Sequence, residues 1–185
     1  MIRALSTLAL AAVAVLAVAL APAQAATKSK AEIDAGVTTT LDRFYKEFAG
    51  GRDLMSRASG ALVFPTITKG GFIVGGEYGE GALLIDGAPV AYYSSASASI
   101  GFQAGLQSRS QIIFFMTDKA LADFRAAEGW EAGVDASITV IEEGASGKLS
   151  TETAKQPVIG VVFAGRGLMG GISLDGTKVT KIDPQ

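Results

Sequence analysis

The stretch VVFAGRGLMGGISLDG, residues 161–176, decides between two folds. Gly165, Gly167 and Gly170 spell G-x-G-x-x-G behind the apolar run VIGVVFA (158–164), and Asp183 lies eighteen residues past Gly165. Strand, glycine turn and distant acid are the order of a dinucleotide-binding loop. Such a loop works only where it opens a helix, whose N-terminal amides face the pyrophosphate. Here the glycines lead into GISLDGTKVTKI (171–182), which alternates apolar and polar residues with period two and turns at Asp175-Gly176. A strand enters and a strand leaves, so no nucleotide cofactor is expected. The glycines are expected instead to let two late strands bend and approach, with Leu168 and Met169 packed on the sheet and Arg166 displayed at the bend.

The same texture extends upstream. Residues 70–87 (GGFIVGGEYGEGALLIDG) and 88–117 (APVAYYSSASASIGFQAGLQSRSQIIFFMT) are β-branched, aromatic and glycine-rich. Asp86-Gly87 and Asp175-Gly176 are hairpin dipeptides between strand-like runs. Glycine weakens a strand unless the chain bends or another backbone comes close, so 23 glycines predict a strongly curled sheet or a small barrel. The small residues of SSASAS (94–99) fit close layers.

Before the sheet, Ile33, Val37, Leu41, Phe44 and Phe48 recur at helical spacing, predicting an amphipathic helix over 31–49 that Gly50-Gly51 ends. A short second helix follows, leading into a strand before Pro65. DKALADFRAAEGW (118–130) predicts one helical insertion with Leu121 and Phe124 inward and Asp118 as N-cap. DASITVIEEGASGKLSTETAKQP (135–157) reads as a strand and then a polar loop. Helix first, then a large antiparallel sheet with one insertion, is an α+β fold.

Composition narrows the chemistry. The 185-residue chain contains no Cys and no His. That removes disulfides, acylation at a cysteine, the commonest metal ligand and the usual general base. Arg3, the apolar run 4–21 and the Ala23-Gln24-Ala25 site predict a signal peptide over 1–25 and a single domain over 26–185, periplasmic or secreted. Beyond residue 25 the chain carries fifteen Lys and Arg against eighteen Asp and Glu. Residues 26–69 are about plus two and the rest minus five, with no basic stripe for nucleic acid. Gly147-Lys148 lacks the first glycine of a phosphate loop, Glu142 standing there, and Leu149 replaces its Ser or Thr. Glu77 and Glu80, three apart in an expected turn, make no acid–base pair. An enzyme is not expected. Trp130 is expected as a core plug rather than a membrane-interface anchor.

Four blocks in order carry a family resemblance: GALVFPTITKGGFIVGGEYGEGALL (60–84), GFQAGLQSRSQIIFFMT (101–117), ALADFRAAEGWEAGVDASITV (120–140) and GRGLMGGISLDGTKVTKI (165–182). Over residues 32–183 the chain resembles the SYLF-domain family, in its secreted bacterial branch. The resemblance implies a non-enzymatic module that binds phospholipid, with an amphipathic helix and basic residues contributing. Actin, bound by some eukaryotic members, is not an expected partner of an exported protein.

Arg43, Lys46, Arg52 and Arg57, on or just after the helix, are the headgroup candidates, joined by Lys69 beside Gly70-Gly71 and by Arg166. The apolar stripe serves either a membrane interface or the sheet, and core packing is its expected role. The alternative function is an envelope structural or adaptor domain that pairs with a protein partner.

Overall fold

The computed structural model describes residues 27–71, 74–100, 107–142, 155–164 and 173–185. The expected signal peptide, the Gly147-Lys148 stretch, the glycines 165, 167 and 170, and Arg166 lie outside the described residues.

The first helix, α1 (Lys30–Glu47), starts at a capping box. The Ser29 hydroxyl accepts from the Glu32 amide at 3.3 Å, and the Glu32 carboxylate accepts from the Ser29 amide at 2.8 Å. Those bonds hold the Glu32 carboxyl below its ordinary range. The stripe closes on the core as expected: Ile33, Val37, Phe44 and Phe48 are buried. Its middle position is Thr40, which is buried, while Leu41 is only half-buried at the margin. Gly50, with φ of +84°, turns the chain directly into α2 (Gly51–Arg57).

Strands β1 (Gly60–Gly71), β2 (Val74–Ile85), β3 (Ala88–Ile100), β4 (Gln107–Phe115), β5 (Trp130–Glu131), β6 (Thr139–Glu142), β7 (Val158–Ala164) and β8 (Lys178–Ile182) form one sheet among the described residues. Their order is β5-β8-β3-β2-β1-β4-β7-β6, curled into a half-barrel. The α+β class and the curl follow the sequence reading. The purely antiparallel sheet does not: β6 runs parallel to β7, because the chain crosses between them rather than turning back.

Pro65 does not end its strand. β1 runs through it with an extra residue, shifting register against β2 between Val63 and Thr66 and against β4 between Phe64 and Ile67. A bulge is where a residue without an N–H can sit inside a sheet. The free Pro65 carbonyl accepts from the Ser110 hydroxyl at 2.8 Å. Asp86 and Gly87 both have positive φ, 53° and 78°, and make the expected two-residue hairpin turn. Asp175-Gly176 turns as well, and among the described residues β8 beyond it pairs with β3 and β5, while the run that leads into the turn lies mostly outside the described residues. Glu77 and Glu80 lie within β2, not in a turn, since the ladder to β3 continues past them.

Each face of the sheet carries a core. On one, α1 and α2 cover Ala61, Val63, Ala82, Leu84, Ile112 and Phe114. On the other, α3 (Asp118–Ala126) covers Leu62, Ile67, Leu83, Ile113 and Phe115. Trp130 is the expected plug, 3 % exposed and edge-on to Phe124 at 5.6 Å. The N-cap of α3 is Thr117, whose hydroxyl accepts from the Ala120 amide at 3.2 Å. Asp118 occupies the first turn instead and accepts from the Ser59 hydroxyl at 2.7 Å.

Burial raises all four tyrosines above the ordinary phenol value of 10, and Tyr78, which also donates to Glu80 at 2.8 Å, is pushed up to about 12. A phenol with a raised folded pKa contributes stability that is complete below pH 10 and is lost as pH rises through the folded value. Phenolate absorbance should therefore lag that of the urea-unfolded chain above pH 10. Tyr78→Phe should delete the latest-titrating component. Coincident curves for folded and unfolded chain would contradict this.

Candidate functional site

The basic side chains singled out in the sequence separate into two places. Arg43, Lys46, Arg52 and Arg57 gather on α1 and α2, the layer that covers one sheet face. Arg43 pairs with Glu47 at 2.9 Å and lies over the Phe163 ring at 5.0 Å. Arg57 pairs with Asp53 at 3.4 Å. Lys46 and Arg52 are exposed and carry no ion pair among the described residues. The Arg52 guanidinium stacks on Tyr45 at 4.4 Å, and Tyr45 adjoins Lys46 in the chain. The corner where α1 turns into α2 thus carries two solvent-facing cations, one of them stacked on a half-buried phenol. Its position follows from the local sequence: burial of Phe44 and Phe48 leaves Tyr45 at the margin of the core and turns Lys46 to solvent.

Lys69 does not join that corner. It lies two residues beyond Ile67, on the face away from α1, where its ammonium forms an ion pair with Glu77 at 3.7 Å. The same Glu77 carboxylate pairs with Arg109 Nη1, and Arg109 Nη2 donates to Gln111 Oε1 at 3.1 Å. Three neighbouring strands thus place Lys69, Glu77, Arg109 and Gln111 at one end of the sheet face away from α1, past the apolar side chains that α3 covers. Arg109 and Gln111 are 5 % and 0 % exposed. Arg109 Nε and Gln111 Nε2 are buried there without a hydrogen-bond partner.

Sequence reading missed Arg109 and Gln111. The available signal was parity in QSRSQIIFF: Arg109 and Gln111 alternate in step with Ile113 and Phe115, so polar and apolar side chains share one inward face.

A cavity of about 310 Å³ opens between α3 and β5, lined by Thr117, Lys119, Asp123, Trp130, Asp135 and Gln156 among others. Its charged groups are already engaged: Lys119 with Asp123 at 2.6 Å, and Asp135 with the Glu131 amide at 2.6 Å. Among the described residues no group of three or more His, Cys, Asp or Glu could hold a metal ion. No described helix is long and apolar enough to cross a membrane.

Residues 96–183 match the family model Ysc84, described as Las17-binding protein actin regulator. Over residues 96–183 the match bears out the SYLF-family resemblance. It begins within β3, whereas the sheet also includes β1 and β2, which lie before it and pair with β4 and β3. The cationic corner on α1 and α2 therefore precedes the matched segment, while Arg109 and Gln111 fall inside it. The family description names binding and regulation rather than a reaction. No curated protein matches the chain.

Proposed function

We propose that this chain is a non-enzymatic, exported protein that binds anionic phospholipid at a membrane surface by charge, through the corner formed by Lys46, Tyr45 and Arg52. One observation carries the reading. The apolar stripe of α1 is spent on the core, while Lys46 and Arg52 face solvent without carboxylate partners. Attachment then comes from cations at the headgroup level and not from an inserted helix. Each such cation contributes about 1 kcal/mol near an anionic surface, so binding is weak and salt-sensitive. Arg43 and Arg57, each shared with a carboxylate, contribute less. The apolar run and Ala23-Gln24-Ala25 site near the start of the chain support a periplasmic or secreted location.

The test is co-sedimentation with phosphatidylglycerol vesicles at low salt, against phosphatidylcholine vesicles as control. The double variant Lys46→Glu/Arg52→Glu should lose at least about tenfold in apparent affinity. Equal pelleting of the variant would remove the corner from the proposal, and no pelleting of the parent protein would remove the lipid.

A second reading is a protein partner. The family description supports it by naming a Las17-binding protein. So does β6, whose outer edge is unpaired among the described residues and offers a ladder to an added strand. Cross-linking that recovers one protein through residues 139–142, with vesicle binding absent, selects this reading.

A further inference from the structure

We infer that this end of the sheet face away from α1 is a phosphate-class anion site, formed by Arg109 and Gln111 and occupied in the free protein by the side chain of Glu77. Lys69 and Arg109 bring two positive charges, and among the described residues Glu77 alone answers both. That leaves one positive charge over, among the described residues, where Arg109 is almost fully buried. Two donors, Arg109 Nε and Gln111 Nε2, are buried there with no acceptor among the described residues. Buried donors are nearly always satisfied, and an unpaired one carries the full cost of its lost hydration. Two on neighbouring side chains, beside a surplus cation, fit a single acceptor group bearing negative charge.

Glu77 indicates the kind of acceptor. It is a carboxylate already held by the two cations, and it leaves both donors unmet. A competitor must bring more acceptor oxygens than a carboxylate, as a phosphate group does. Entry runs past Lys69 and Glu77, whose side chains are 23 % and 12 % exposed against 4 % for Arg109. Displaced Glu77 turns toward solvent while Lys69 and Arg109 hold the phosphate. The phosphate belongs either to a lipid headgroup or to a free anion, and both present this chemistry.

Calorimetric titration of the purified protein with inorganic phosphate, and separately with monomeric dihexanoyl phosphatidylglycerol, tests the site. Glu77→Gln removes the internal competitor and should tighten binding about tenfold. Gln111→Glu keeps an acceptor for Arg109 Nη2, removes the unmet donor and sets a second carboxylate beside the surplus cation, so it should weaken binding by at least a similar factor, with thermal stability unchanged or raised. That pairing of weaker binding with undiminished stability separates a ligand role from a structural one. It also stands if Glu77→Gln does not fold. Binding of phosphate alone assigns a free anion, and binding of the short-chain lipid alone or of both assigns a headgroup. Binding of neither probe, or equal affinity in the parent and Gln111→Glu, overturns the site. The monomeric probes present no surface, so this outcome is independent of whether Lys46 and Arg52 attach the protein to vesicles.

Discussion

Phe44→Ala should cost about 3–5 kcal/mol, the largest loss expected from truncating any side chain of α1. Phe44 is 0 % exposed and stands where α1, α2 and the sheet meet. Its ring lies 5.3 Å from Phe48, 5.5 Å from Phe114 and 6.4 Å from Phe163. Gly51 packs directly on it: a Cβ there would come within 3.0 Å of the Phe44 ring. Neighbours held in two helices and two strands cannot all collapse into the space an alanine leaves, so the cavity persists. For a domain of this size the midpoint of thermal unfolding should fall by roughly 6–20 °C. Leu41→Ala, at the half-buried margin of the same stripe, should cost much less, and equal losses would show that α1 does not pack as described. The substitution also bears on function. Phe44 fixes how α2 leaves α1, and that geometry brings Arg52 over Tyr45. A folded Phe44→Ala protein should therefore also bind anionic vesicles more weakly.

The contrast between Phe44 and Arg109 explains what could be read in advance. The helix stripe, the Asp86-Gly87 turn, the curl and the burial of Trp130 are local or compositional signals, each visible within a few residues. Thr40 was missed because a hydroxyl does not register as apolar, although its spacing from Val37 and Phe44 places it on the buried face. The parallel β6–β7 pair and the separation of Lys69 from the α1 cations depend on which distant segments become neighbours. No local pattern states that. Arg109 and Gln111 needed one more step. Alternation puts them on the face of Ile113 and Phe115, but only the bulge at Pro65 and the pairing of β1 with both β2 and β4 bring Lys69 and Glu77 to the same place. In the sequence Lys69 therefore stands out only by its charge beside Gly70-Gly71, and nothing near Glu77 shows that its carboxylate is shared with Arg109.

Gly81→Ala should be at least as damaging as Phe44→Ala in its effect on the sheet, although it adds one methyl group. A Cβ at Gly81 would lie 2.1 Å from the Val63 carbonyl oxygen and 2.7 Å from Phe64 Cδ1. The first obstacle is backbone and cannot rotate aside, so β1 and β2 must separate at the bulge. Gly79 faces the same barrier, with the Thr66 carbonyl oxygen 2.6 Å from its would-be Cβ. Overpacking commonly costs about 1–3 kcal/mol, and a clash against carbonyl oxygen inside a central strand pair belongs at or above that upper end. Gly76→Ala provides the control from the same strand. Its Cβ meets only the Ser97 carbonyl oxygen, at 3.7 Å, and its φ is not positive, so the change should be neutral or stabilise by about 0.4–1 kcal/mol through the unfolded chain. Unfolding free energies from denaturant titration of the two variants should move in opposite directions or, at minimum, differ by about 3 kcal/mol. If both glycines tolerate alanine equally, the close approach of β1 and β2 at Pro65 is wrong. The register that delivers Lys69 to Glu77 would then be wrong with it, because that pair lies on the same two strands beyond the bulge.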